Sequence, residues 1–446
     1  MQPVLKIVLF WFFTLTVFSQ TETKKLSFTL QEAIDYALQN NLNAKNANRE
    51  LEQAKLKKWE TTTMGLPQIN AAIDYQNNLV IQRSVVPAEF FGGNPGEFID
   101  VAFGTKHVMI GRATLSQLIF DGSYLVGLQA AKTYLNFYKD MQVKTRQEIK
   151  QQIIQDYTNV LLLERSIELL EKNKKTLEKN YFEANQTFKN GLIEEESVEQ
   201  IQITLSTINN SLNNSQRMLV LSKQILKIQL GLALEDSIQL TDNLDVLTQQ
   251  NYSLELTQST FDRNNNIDYI LGEKNQEQMR LLMLQEKSKA LPSLVANVNF
   301  GYNAFSNEFS FLNANQRWLN FSSVNVGLQI PIFSSLGRSS RTQQAKINFE
   351  RSKEELINLG KLLDLKFQQA KSDYQFSLED LATNQSNLKL AERIEQKQQI
   401  KFKEGLSTSF EFAEAQRQLY SAQQMYLQSM INVINKKAAL DNLFGN

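Results

Sequence analysis

The chain has 446 residues, with 47 Lys and Arg against 47 Asp and Glu, so its bulk charge gives no reason to expect a nucleic-acid partner. It has no Cys and one His, His107. That excludes disulfides, thiol catalysis, cysteine-held metals, a His-based triad and a multi-His metal centre, and no cofactor or catalytic residue is expected.

Residues 1–20 read as an export signal. Lys6 precedes an apolar stretch from Ile7 to Phe18, and polar Ser19-Gln20-Thr21-Glu22 follows. The stretch is short for a membrane span. A buried N-terminal helix or retained anchor is the competing reading. No later run has the length and apolarity of a membrane helix, so an exported chain of this kind is soluble or enters a membrane as a β-barrel.

Residues 21–240 read as a first structural repeat. Thr29-Leu30-Gln31-Glu32 has capping-box spacing and opens a helix to about Glu60. Gly65-Leu66-Pro67 breaks it. Ile69, Ala71, Ile73 and Tyr75 then alternate with polar residues, predicting a strand over about 67–80. Arg83 to His107 is rich in Gly and Pro and reads as a long loop. A second strand is expected over about 108–120, a long helix over about 123–190, and a helix over about 192–231.

Residues 241–446 repeat the plan. The expected elements are a helix over about 254–289, strands over about 292–303 and 322–333, a long helix over about 338–404, and a helix over about 406–444. Phe188-Lys189-Asn190-Gly191-Leu192 returns as Phe402-Lys403-Glu404-Gly405-Leu406, an offset of 405 − 191 = 214. Phe120 returns as Phe333, an offset of 333 − 120 = 213. Copies this long mark a fold duplication rather than a short solenoid repeat.

The long helix would span about 100 Å, roughly the sum of the two shorter ones. Stacking those two end to end beside it would make two rods per repeat. Ordinary coiled-coil hairpins compete with that reading. Each strand is long enough to cross a bilayer when tilted, with one apolar and one polar face. Four strands cannot close a barrel, and an open sheet edge cannot face lipid. Closure then needs several copies, and three would give 12 strands. A water-soluble sandwich is the alternative, because alternation alone does not separate lipid from protein core.

These features together make the chain resemble the TolC-like outer-membrane efflux proteins. The resemblance rests on the duplication, on Leu66-Pro67 and Leu291-Pro292 before paired strands, and on the two Phe-x-x-Gly-Leu segments. It implies a mainly α protein with a membrane β-barrel. Four strands per protomer would enter a 12-stranded trimeric barrel that continues into a long periplasmic α-helical barrel. It also implies a passive conduit, not an enzyme, in the outer membrane of a Gram-negative-type cell. The implied partners are its own two copies, outer-membrane lipid, a periplasmic adaptor and, through that adaptor, an inner-membrane pump of RND, ABC or MFS type. The role implied is exit duct of a tripartite efflux or type I secretion system. A cell-envelope structural or adhesive coiled-coil protein is the alternative.

The resemblance maps adaptor docking onto the helix tips at Asn190, Gly191, Leu192, Glu404, Gly405 and Leu406. A purely structural turn explains either Gly equally well. It maps a periplasmic gate onto Glu411 and Glu414, which share one helix face at i, i+3. The matching first-repeat positions are Ser197 and Gln200, and Ser407 stands where some relatives carry a basic residue. A solvated helix face is the competing reading of the two acids. Glu194, Glu195 and Glu196 read as first-turn acids favoured by the helix dipole.

Overall fold

The computed structural model describes residues 25–445, and the expected export signal lies outside them. The chain forms two compact units, each built from three segments and neither coinciding with one sequence repeat. The first comprises residues up to 42, 149–254 and 374–438. The second comprises 43–148, 255–373 and 439–446. Three long helices contribute to both: α3, Gly122–Lys189, of 68 residues, α7, Gly337–Lys403, of 67, and α8, Ser409–Phe444, of 36.

In the first unit, β1 (Lys25–Phe28) pairs in parallel with β6 (Ser237–Leu240). Helix α1 (Leu30–Asn40) opens on the expected capping box, with Thr29 N–H donating to Glu32 Oε2 at 2.8 Å and Glu32 N–H donating to Thr29 Oγ1 at 3.3 Å. The Leu30 N–H donates to Asp242 Oδ2 at 2.6 Å, and the buried Tyr157 hydroxyl lies 3.0 Å from that oxygen and 2.9 Å from the Phe28 carbonyl. Burial pushes the Tyr157 hydroxyl's pKa well above the ordinary phenol value.

The expected single helix to Glu60 is instead two, α1 and α2 (Leu42–Thr63). Asn41 breaks it with φ −57° and ψ 140°, and its buried amide donates to the Gln229 carbonyl at 2.7 Å. The cause is a close crossing. Helix α4 (Glu195–Leu230) ends at Gly231, with φ +75°, and a Cβ there would lie 2.4 Å from the Asn40 carbonyl oxygen.

The expected helix over 254–289 is also shorter. Helix α5 (Leu244–Gln250) precedes it, short 3-10 turns occupy Glu255–Gln258 and Arg263–Asn265, and α6 covers Ile267–Ser288. The Asn266 side chain caps α6 by accepting from the Asp268 and Tyr269 N–H groups, so the run Asn264-Asn265-Asn266 starts the helix rather than continuing one.

The second unit holds an antiparallel sheet in the order β2-β5-β7-β8. Its strands are β2 (Gln68–Asn77), β5 (His107–Asp121), β7 (Ser293–Ser306) and β8 (Trp318–Gln329). Register fixes its two faces. Ile69, Leu115, Val298 and Val324 stand opposite one another in one row, and Asn70, Thr114, Asn299 and Ser323 in the next. The polar face is cross-linked: Thr114 Oγ1 donates to Asn299 Oδ1 at 2.8 Å, Asn299 Nδ2 donates to Ser323 Oγ at 3.3 Å, and Arg112 pairs with Asp74 at 3.2 Å. Strands β2 and β8 each pair on one side only.

Two expectations need correction here. The loop 83–107 contains a hairpin, β3 (Arg83–Pro87) with β4 (Phe98–Ala102), tied by an Arg83–Asp100 ion pair. Its strands are five residues each, too short for alternation to stand out among the glycines. Strand β8 was expected over 322–333 but ends at Gln329. Ser293, the first residue of β7, already faces Gln329, so Ile330 and Ile332 find no strand opposite, and Pro331 has no N–H to offer.

The joint from β8 into α7 is irregular. Ser335 and Leu336 have φ +48° and +65°, and Gly337 N–H donates to the Ser334 carbonyl at 2.8 Å. Both central residues of this turn are left-handed, as in a type I′ turn. The Arg338 guanidinium holds it by donating to the Pro331 carbonyl at 2.9 Å and to Ser334 Oγ at 3.2 Å. In the first repeat, Asp121 makes the same passage directly, accepting the Tyr124 N–H at 2.9 Å.

Candidate functional site

The expected docking residues lie at two helix ends in the first unit. At the end of α3, Gly191 N–H donates to the Phe188 carbonyl at 2.8 Å and Leu192 N–H to the Thr187 carbonyl at 3.1 Å. At the end of α7, Gly405 and Leu406 make the same pair to Phe402 and Lys401, at 3.1 and 2.8 Å. Gly191 and Gly405 have φ +74° and +70°. These are Schellman caps, and a left-handed residue at that position is what glycine supplies. The structural account of both glycines is therefore sufficient.

The leucines are different. A Schellman cap ordinarily tucks its following apolar residue against the last turn. Leu192 and Leu406 are instead 74% and 76% exposed. Leu192, Glu404 and Gly405 line one cleft of about 400 Å³ with Asn180, Phe402 and Phe412. Asn190, Gly191 and Leu406 stand outside its lining. Lys403 pairs with Glu183 at its rim, 3.2 Å apart, and the Phe402 and Phe412 rings stack at 5.2 Å.

The cleft sits on a helical seam absent from our sequence-based expectations. Buried Leu170, Leu177 and Ala184 of α3 are spaced by seven, with buried Asn173 and Asn180 between them. Buried Val198, Ile201, Ile208 and Leu212 of α4 share their apolar cluster. Asn173 Nδ2 donates to Gln423 Oε1 at 2.8 Å, whereas Asn180 Nδ2 has no hydrogen-bond partner. The three–four spacing of Leu170, Asn173, Leu177, Asn180 and Ala184 was the available signal.

Helix α8 (Ser409–Phe444) carries the two acids of the expected gate. The structure does not give them one environment. Glu411 is exposed and bound into the start of its own helix, its Oε2 accepting from Thr408 N–H at 2.9 Å and from Ser407 Oγ at 3.0 Å. The Thr408 backbone N–H, then the Ser407 and Thr408 hydroxyls, hold its carboxyl below the ordinary glutamate pKa. Glu414 pairs with Arg417 one turn on. It lines a cleft of about 540 Å³ with Gln200, its first-repeat counterpart, and with Asn173, Thr204, Arg417 and Gln424. The Thr408-x-x-Glu411 capping spacing and the i, i+3 Glu414–Arg417 pair were both readable in the sequence.

Further along the same helices, burial raises the carboxyl pKa of Glu395, an effect partly offset by Gln416. Burial and the nearby Glu395 charge raise Tyr420. Among the described residues no group of His, Cys, Asp or Glu is arranged to hold a metal ion, and no helix is long and apolar enough to cross a membrane.

Residues 244–446 match the sequence pattern of the outer membrane efflux protein family. The chain superposes on solved channels over 93–94% of its length. It matches CusC with a TM-score of 0.74 at 16% identity, covering 94% of this chain and 92% of that one. It matches VceC of Vibrio cholerae at 0.73 and 16%, covering 94% and 96%, and CmeC of Campylobacter jejuni at 0.71 and 17%, covering 93% and 85%. No curated protein matches by sequence. The second half of the chain thus carries the outer membrane efflux protein pattern, and the chain has the fold of the solved channels.

The chain keeps the fold of these channels. Asn190 and Glu404 precede the tip glycines, and Ser407, which replaces a basic residue of some relatives, donates to Gln398 Oε1 at 3.1 Å and to Glu411. The glutamate at 411 is engaged locally in this protomer, and the glutamate at 414 faces the α3–α4–α8 cleft.

Proposed function

We propose that this TolC-like protein is the exit duct of a tripartite efflux or type I secretion system, assembled as a trimer with a 12-stranded barrel. One observation carries the reading: a four-stranded sheet with an apolar face, a polar face and two edges that no other strand among the described residues pairs. Edges of that kind cannot face hydrocarbon, and three copies supply mutual pairing. The polar face, with its Asn, Ser, Thr and Arg112–Asp74 contacts, would line the water-filled interior.

The tips are the surface offered to a periplasmic adaptor, with an inner-membrane pump behind it. Exposed Leu192 and Leu406, beside a cleft with the unpaired Asn180 amide, support that assignment. In a trimer, Glu411 and Glu414 of three copies would place six carboxylates near one axis, attracting cations and opposing anions. The duct performs no chemical step in this reading.

Purified protein in planar bilayers tests it. We expect conductance from a trimer that resists dissociation in mild detergent. No conductance, with either the native chain or the E411A/E414A double variant, overturns the proposal. Photocrosslinkers at Asn190 and Glu404 should capture an adaptor in intact cells.

A further inference from the structure

On the apolar face of the sheet one position is bare. Ile73, Gly111 and Tyr302 stand opposite one another across β2, β5 and β7. Gly111 is not left-handed, and a Cβ built on it would meet nothing within 4 Å. Neither backbone nor internal packing calls for glycine there, although glycine weakens a strand interior. Neighbouring Gly301, on the polar face, is a contrast: a Cβ there would lie 2.4 Å from the Gly111 carbonyl oxygen and 2.8 Å from the Phe321 ring. Of the three glycines in the sheet, Gly301 is covered by an aromatic ring, Gly327 is open on the polar face, and Gly111 is the one open on the apolar face.

The opening lies in a shallow, largely open apolar cleft of about 590 Å³, lined by Ala71, Ile73, Ala113, Phe300, Tyr302 and Trp318. The Phe300 and Tyr302 rings meet edge to face at 5.5 Å, a rigid wall. Arg112 also reaches the lining, but its guanidinium is engaged with Asp74. The polar side-chain atoms remaining in the walls belong to Tyr302 and Trp318, the latter opening β8 at the loop end of the sheet.

We propose that this cleft is a lipid site, in which one acyl chain from the leaflet at the loop end lies over Gly111. Its ester end would be directed toward Trp318. The inference rests on the barrel reading above, which turns this face to hydrocarbon. Hydrocarbon is the occupant whose chemistry fits walls of this kind: apolar through the middle, with an indole and a phenol at the wet end.

The test uses Trp318 fluorescence in a Trp59→Phe background, where Trp318 is the one tryptophan left outside residues 1–20. The protein is reconstituted in phosphatidylcholine vesicles with a rising fraction of dibrominated acyl chains. Quenching should saturate at a low brominated fraction. Gly111→Leu, which fills the cleft, should reduce it at least twofold, and Gly111→Ala should fall between. Ala296→Leu, on the same face outside the cleft, should leave it unchanged. Reconstituted channels that conduct but show equal quenching with Gly111→Leu, or quenching that rises linearly with brominated lipid, overturn the site while sparing the duct. No quenching and no conductance in any variant overturns both.

Discussion

Thr408 and Glu411 cap α8 reciprocally: Thr408 N–H donates to Glu411 Oε2 at 2.9 Å, and Glu411 N–H donates to Thr408 Oγ1 at 3.2 Å. The ionised carboxylate makes these bonds, so the folded pKa lies below the unfolded one. The stabilisation is fully present above the ordinary carboxylate value of about 4.3 and is lost as pH falls through the lower folded value. Hydrogen exchange over 400–415 should accelerate only in that acid range. Thr408→Ala should bring fast exchange to neutral pH, at a cost of about 1 kcal/mol to the helix start. Exchange unaffected by the substitution would count against the cap.

Gly191 and Gly231 separate strain from collision. Both are left-handed, so alanine at either should cost roughly 1–2 kcal/mol. A Cβ at Gly191 meets nothing within 4 Å, whereas at Gly231 it lies 2.4 Å from the Asn40 backbone oxygen. Gly231→Ala should therefore lower the melting temperature well beyond Gly191→Ala. Circular dichroism on heating is sufficient to compare them.

Tyr157 ties Phe28, Asp242 and the start of α1 together. Tyr157→Phe removes the hydroxyl and leaves part-buried acceptors short of a donor, a loss of about 1–3 kcal/mol. Amide exchange in residues 25–41 should rise more than elsewhere in the chain.

Arg417 neutralises Glu414 within one helix in this protomer. Arg417→Gln should raise the preference of the open channel for cations, and Glu414→Gln should lower it. Reversal potentials in asymmetric salt would report both. Opposite or absent shifts would remove Glu414 from the gate.

Ser335 holds the β8–α7 turn in a left-handed conformation that a non-glycine residue resists. Ser335→Gly should raise thermal stability slightly, by about 0.5 kcal/mol once the extra freedom of the unfolded chain is subtracted.

Much of the candidate site could be read from the chain. The Phe-x-x-Gly-Leu segments mark both Schellman turns, because a left-handed residue after a long helix leaves a local trace. The alternation of Ile69, Ala71 and Ile73, or of Leu294, Ala296 and Val298, gives the two faces of the sheet, because strand side chains have period two. The split at Asn41 was hidden, since its cause is the Asn40–Gly231 approach between residues far apart in sequence. So was the end of β8 at Gln329, which depends on where β7 begins.

Sequence by itself determined the long helices and the four strands of the sheet, which strand face is apolar, and where glycine must turn the chain. These follow from local backbone preference and side-chain period. Tertiary structure alone decided that Glu411 closes its own helix while Glu414 faces a cleft with Gln200, and that Leu192 and Glu404 share one opening. It also decided that Gly111 is left uncovered while Gly301 is not. The physical reason is that a side chain's neighbours across helices and strands are set by register and packing, which act between distant parts of the chain.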